Sequence, residues 1–250
     1  MIKIAFFEWQ NEIIKQAISE SEGLEAVSCE SLEAAALSVR EGIADALVGG
    51  IDYSSRDIIL CCRDIIGVKD KTFSASFWMR NEDSEFVIGD AAACKNPTEE
   101  QLYDIVLQTY ETAKKVLVEE PRVAILSFST LGSGGKDPSI ERAKNVVARV
   151  REVHPEIIID GELQLDAAIN SRVASKKAAE SEVAGRANVL IMPDLNSGNI
   201  LYKAMEQFGG FTAAGPILQG FKAPVSDLSR GSTVNDVKLV IEAIKKIGKK

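Results

Sequence analysis

The chain has 250 residues, 46% apolar and 26% charged, with 29 Lys and Arg against 37 Asp and Glu and a formal charge of −8. That is enough chain to bury the core of one large or two small domains. The acidic balance supplies no field that would draw in nucleic acid or an anionic membrane surface, so a phosphate ligand needs a local basic pocket.

In chain order, Ile2–Phe7 reads as a buried strand and Asn11–Ser21 as a helix with Ile13, Ile14, Ala17 and Ile18 on one face. The apolar run at the start is cut by Glu8 and is too short for a secretory core. No apolar stretch approaches the roughly 20 residues that span a bilayer. A cytoplasmic chain without a membrane segment is expected. Ser31 caps a helix that stops at Gly42, and Ala46–Val48 is a short strand ending in Gly49-Gly50. Together these predict a small βαβαβ unit with parallel strands. Ser54-Ser-Arg-Asp57 then leads into a helix, where Ser54 or Ser55 serves as cap or as ligand. Thr72–Met79 and Glu85–Gly89 alternate like a hairpin pair, which places the start of a second subdomain near residue 73.

Thr98 opens a helix running to Val116, and Pro121–Phe128 is a strand. The loop Ser129-Thr-Leu-Gly-Ser-Gly-Gly-Lys136 joins that strand to the helix Ile140–Val153 and points backbone N–H groups at a phosphate or oxyanion, although it is not a Walker A sequence. Ile157–Ile159 is a strand followed by Asp160, Glu162 and Asp166, which suit acid–base work, a divalent metal, or plain turns and caps. Ala187–Met192 is a strand, 193–199 a polar loop and Ile200–Phe208 a helix. Gly215–Asp236 reads as a turn-rich loop feeding the helix Val234–Ile247, with Ser229 and Arg230 set for an anion near the helix N-terminus. Cys29, Cys61, Cys62 and Cys94 lack metal-ligand spacing and are expected as reduced thiols. His154 is the single histidine and precedes Pro155 at a helix end, so histidine-dependent triads and His-rich metal sites are excluded; no metal is expected.

Polar, glycine-bearing βα loops gather at the carboxyl edge of a parallel sheet, where α/β folds bind ligands. The segments Ser127-Phe-Ser-Thr-Leu-Gly-Ser133, Asp160-Gly-Glu-Leu-Gln-Leu-Asp-Ala-Ala168, Val183-Ala-Gly-Arg-Ala-Asn-Val189, Pro193-Asp-Leu-Asn-Ser-Gly-Asn-Ile-Leu-Tyr-Lys203, Gly215-Pro-Ile-Leu-Gln-Gly220 and Pro224-Val-Ser-Asp-Leu-Ser-Arg-Gly231 resemble the phosphate acetyltransferase (phosphotransacetylase) family. The likeness keeps the family's order from about residue 42 onward, and so many separate motifs make it specific. It implies two α/β subdomains with mostly parallel sheets and a cleft between them, in the manner of isocitrate and isopropylmalate dehydrogenases. Residues 1–72 with 222–250 would form the first and 73–221 the second.

The resemblance also implies acetyl transfer between coenzyme A and inorganic phosphate, with acetyl-CoA, phosphate and acetyl phosphate as substrates, no permanently bound cofactor, and a homodimer. Carried over by position, Ser229 and Arg230 handle the phosphate and the developing oxyanion, and Asp236 takes the thiol proton. Ser129, Thr130, Gly132, Ser133, Ser54, Ser55, Arg56, Asn199 and Lys203 are the expected phosphate and substrate contacts. The chemistry asks for these types, because a thiol of pKa about 8.5 must ionise before attack and charge then grows on the acyl oxygen.

Other readings stay open. With Thr233 as N-cap, Asp236 sits where an acid stabilises a helix without catalysis, and a simple pairing with Asp227 is the alternative role for Arg230. The family is longer on its N-terminal side, so residues 1–41 are expected to stand in for a larger half-domain. A family arginine falls at Leu60, and Arg56 or Arg63, one turn away on a helix, is the expected replacement. These departures support the alternative of a weakened paralogue that binds phosphate or acyl-CoA as a regulatory protein. A decarboxylating dehydrogenase is disfavoured by the lack of a nicotinamide fingerprint and of a Mg²⁺-aspartate cluster.

Overall fold

The structure, a computed structural model, describes residues 1–248. In chain order its elements are β1 (Ile2–Phe6), α1 (Glu12–Ser19), β2 (Leu24–Ser28), α2 (Leu32–Arg40), β3 (Ala46–Gly49), α3 (Ser55–Ile65), β4 (Ser74–Arg80), β5 (Glu85–Gly89), α4 (Glu99–Val116), β6 (Arg122–Leu126), α5 (Pro138–Val153), β7 (Ile158–Leu163), α6 (Leu165–Ile169), α7 (Ser171–Lys177), β8 (Val189–Ile191), α8 (Leu195–Gly209), β9 (Thr212–Gln219), β10 (Val225–Asp227) and α9 (Val234–Ile247).

The strands form one continuous sheet in the order β2-β1-β3-β10-β9-β4-β5-β8-β6-β7. Strands β2, β1, β3 and β10 are mutually parallel, and so are β5, β8, β6 and β7. The contacts β10–β9, β9–β4 and β4–β5 are antiparallel, so the two parallel blocks point in opposite directions. Helices cover both faces, which is why β3 and β8 are buried along their whole length and read as unbroken apolar runs.

Local chemistry sets the helix boundaries. The side chain of Asn11 caps α1, Ser31 caps α2, and Thr98 and Gln101 close a reciprocal capping box on α4. Asp137 caps α5, with Pro138 at a first-turn position where its missing N–H costs nothing.

The sequence reading differs from the structure in four places. The predicted loop from Gly215 holds most of β9 and all of β10. Its Pro216 lies where the β9–β4 register shifts, between the Ser76 and Trp78 pairings, so the absent N–H falls at an irregularity rather than in the ladder. Strand β7 runs on to Leu163, so Asp160 and Glu162 are strand residues rather than residues beyond a strand. Helix α8 begins at Leu195, capped by Asp194, which puts Asn199 inside a helix instead of a loop. Strand β2 and the short helices α6 and α7 carry too little periodicity to be read.

Helix α9 packs on β9, α1 and α4 and buries Val237, Val240, Ile241 and Ile244. Among the described residues no helix is long and apolar enough to cross a membrane. Because α9 anchors the C-terminal segment against the sheet centre, Ile244→Ala is expected to cost about 2–5 kcal/mol. Urea denaturation followed by circular dichroism should show that loss as a lower midpoint.

Candidate functional site

The site is built at the carboxyl ends of β3 and β10. Beyond β3 the chain turns at Gly50, and the amides of Gly50, Ile51 and Asp52 all donate to the carboxylate of Glu8, the last at 2.6 Å. Glu8 lies just after β1 and is 7% exposed. Three backbone donors around one anion form a nest, here filled from within the chain. At Gly50, φ is +125°, and an added Cβ would strike the Asp227 carboxylate and come within 2.8 Å of the Leu228 amide nitrogen, so only glycine fits.

A cavity of 360 Å³ opens beside this turn. One wall is Gly50, Tyr53 and Ser55, and another is Asp227, Leu228, Ser229 and Arg230. The third is one face of α8, where Leu195, Asn199, Tyr202 and Lys203 recur at helical spacing. The Tyr202 ring stacks on Phe77 of β4 at 4.0 Å, fixing that face against the sheet. Asp227, which ends β10, is 2% exposed, and its Oδ1 has no hydrogen-bond partner. Burial pushes its carboxyl up to about 6, with the Ser55 hydroxyl opposing the rise and the Glu8 carboxylate adding to it. Cys62 of α3 is driven up to about 12 by burial, with Cys61 and Asp227 adding to the shift, and so stays a thiol.

The cavity thus brings together Ser55, Asn199, Lys203, Ser229 and Arg230. Asp236 lies outside its lining, in the first turn of α9. Its Oδ2 accepts from the Thr233 amide at 2.7 Å and from the Thr233 hydroxyl at 2.8 Å, completing a capping box. Its charge is nevertheless felt on α8, where burial pushes Glu206 up, the Asp236 carboxylate adds to that, and Lys203 opposes it. Ser54 caps α3 through Asp57, and the exposed Arg56 does not line the cavity. Arg63 pairs with Asp64 at 2.8 Å.

The glycine-rich loop after β6 is organised differently. The Ser129 hydroxyl donates to Glu162 Oε1 at 2.7 Å, and the Gly132 amide donates to the same oxygen at 2.7 Å. The Ser133 hydroxyl accepts from the Thr130 amide, and Thr130 Oγ1 accepts from the Gln164 amide. Burial works against the charge of Glu162, but the Gly132 amide, the Ser129 hydroxyl, its own backbone amide and Lys144 together outweigh it and hold the group below the usual carboxylate range. Of these four loop residues, Ser129 and Gly132 thus hold a carboxylate of the chain itself, Thr130 and Ser133 bond each other, and none of the four lines the cavity. The other two acids of that stretch have separate partners, Asp160 with Arg151 at 3.0 Å and Asp166 with Lys177 at 3.0 Å.

Residues 7–244 match the sequence profile of the family described as phosphate acetyl/butaryl transferase. The chain belongs to that family. It is 42% identical over 215 residues to a phosphate acetyltransferase of Clostridium acetobutylicum, covering 83% of this chain and 64% of the relative. It is 43% identical over 201 residues to one from Bacillus subtilis, covering 80% and 62%. The chain thus spans under two thirds of the length of these curated relatives. Among solved structures, a phosphotransacetylase from Streptococcus pyogenes superposes with a TM-score of 0.87 at 31% identity, covering 99% of this chain and 94% of that one. A 4-hydroxythreonine-4-phosphate dehydrogenase from Klebsiella pneumoniae shares the fold alone, with a TM-score of 0.57 at 11% identity.

Within this chain, sequence reasoning passed over three groups. Glu8 figured only as a break in an apolar run and Asp227 only as a partner for Arg230, while Glu206 on α8 drew no attention. Asp227 did leave a signal, a carboxylate inside the short strand between Val225 and Leu228. Its raised pKa makes a testable stability statement. The carboxyl goes from an ordinary value of 3.8 to about 6, so its contribution is complete below 3.8 and is lost as pH rises through about 6. At pH 8 the ionised group costs the folded state about 3 kcal/mol. Asp227→Asn is therefore expected to melt at a higher temperature than wild type at pH 8 and to lose that advantage at pH 4, as read by calorimetry.

Proposed function

We propose that this chain moves an acetyl or other short acyl group between coenzyme A and inorganic phosphate. The observation that supports this most directly is the cavity in which Ser229 and Arg230, from the loop before α9, face Asn199 and Lys203 of α8. Neither Lys203 nor Arg230 forms an ion pair among the described residues, so both charges are available to an anion. Residues 1–72 with 222–250 act as one lobe in this reading and 73–221 as the other, with the substrates between them.

In the direction of thioester synthesis, Asp236 takes the proton from the thiol sulfur. The thiolate bonds to the acyl carbon of acetyl phosphate while Ser229 donates to the oxygen on which charge grows. The acyl–phosphate C–O bond then breaks, and phosphate leaves with the electron pair toward Arg230. The electrostatic coupling of Asp236 to Glu206 of α8 supports this role, and while Oδ2 holds the cap the other oxygen is left for a proton. No covalent enzyme intermediate is needed.

Thiol release from acetyl-CoA, measured with and without phosphate and repeated with propionyl- and butyryl-CoA, tests the reaction. Phosphate-dependent release is expected, and Asp236→Asn should lower kcat about 100-fold or more while keeping an oxygen for the cap. Thr233→Ala separates the two roles of Asp236. It removes the cap hydroxyl at a cost of about 1 kcal/mol in stability but leaves the carboxylate and most of the turnover. Binding of acetyl-CoA without turnover would instead favour a binding or regulatory protein. Arg56 is the proposed substitute for the guanidinium absent at Leu60, and unchanged phosphate KM and kcat in Arg56→Ala would remove that role.

A further inference from the structure

Lys203 and Arg230 can only donate, so they attract any tetrahedral oxyanion and give no means of telling phosphate from sulfate. The cavity also contains a group of the opposite kind. Asp227 lines it, is almost fully buried, and has an oxygen without a hydrogen-bond partner, held against a turn where Gly50 has no side chain. An ionised carboxylate only accepts hydrogen bonds, so beside a bound anion it repels unless that anion carries an O–H. Inorganic phosphate near neutral pH keeps at least one O–H, whereas sulfate keeps none.

We propose that Asp227 accepts the proton-bearing oxygen of bound phosphate, and so makes the cavity select phosphate and arsenate over sulfate. This rests on the anion-site part of the function proposed above and adds a specificity-determining residue to it. A buried charged acceptor short of donors is costly; the Ser55 hydroxyl offsets part of that cost, and the hydroxyl of hydrogen phosphate supplies a further donor.

The surroundings of Asp227 set when this works. Glu8 beyond β1 raises its affinity for a proton, and Ser55 of α3 lowers it. Cys62 of α3 stays neutral beside it, and Tyr53, Tyr202, Lys203 and Arg230 are the other titratable groups lining the cavity. Above about pH 6 the group is ionised and acts as an acceptor only; below that it carries its own proton, donates to either anion and loses its selectivity.

Isothermal titration calorimetry of the full chain with sodium phosphate and with sodium sulfate reads this without turnover. At about pH 7.5, wild type is expected to bind phosphate at least about tenfold more tightly than sulfate. The ratio should fall toward unity at about pH 5, and also in Asp227→Asn at about pH 7.5, with sulfate gaining. An unchanged ratio in a folded Asp227→Asn, a wild type without preference, or a wild type that binds neither anion would overturn the proposal. Near-ultraviolet circular dichroism reports whether the variant folds, and if it does not, the wild-type pH series decides alone. Selective phosphate binding without thiol release would sink the acyl-transfer reading and leave this one standing. Phosphate-dependent turnover with unaltered anion preference in Asp227→Asn would sink this one alone.

Discussion

Two loops of the sheet's edge are held by carboxylates buried against backbone amides. Glu8 ties the turn after β3 to the end of β1 through three N–H donors, and that turn carries Gly50 against Asp227. Glu162 does the same for the glycine-rich loop after β6, through the Gly132 amide and the Ser129 hydroxyl. Hydrogen bonds to an ionised acceptor are about twice as strong as neutral ones, and they hold each loop in a single shape without a ligand. Both loops look from their composition like phosphate cradles. Because each already encloses an anion, the segment before α9 is left as the place where positive charge faces open space.

Acid and base are sorted by depth there. Asp227 and Glu206 are shifted upward by burial and by neighbouring carboxylates, whereas Lys203 and Arg230 lie exposed at the edge. Cations at the rim draw an anion in, and the poorly solvated Asp227 carboxyl within, raised to about 6, is poised to exchange a proton near neutral pH. The same desolvation that prepares Asp227 for a ligand makes it a burden on the empty protein, the ordinary tension between stability and a working site.

Elements marked by local chemistry were legible in the sequence. The Ser31 and Thr98 caps, the β4–β5 hairpin and the whole of α9, including the Thr233–Asp236 box, follow from spacing of three residues or from period alone. Residues 212–227 were not, because Gly215 and Pro216 are turn signals and the register shift that accommodates them is a tertiary event. The site was half visible. Ser229, Arg230, Asn199 and Lys203 stand in motifs and do meet in one cavity. The Ser129–Ser133 loop had the right glycines, but its occupant lies 33 residues farther along, and the partner amides of Glu8 begin 42 residues away. Nothing in a window of local sequence encodes such distances.

The place of β10 bears on how the chain is assembled. In strand ladders, β2, β1 and β3 connect to the remainder of the sheet only through residues 225–227, since β3 pairs with β10 and β10 with β9. Residues 225–227 are therefore the keystone between the strands before residue 50 and those after residue 73. During synthesis the first strands leave the ribosome long before that keystone exists, with one edge unpaired and open to wrong partners. The sheet is joined by closing a loop of most of the chain's length, which sets a slow, non-local step at the end of folding.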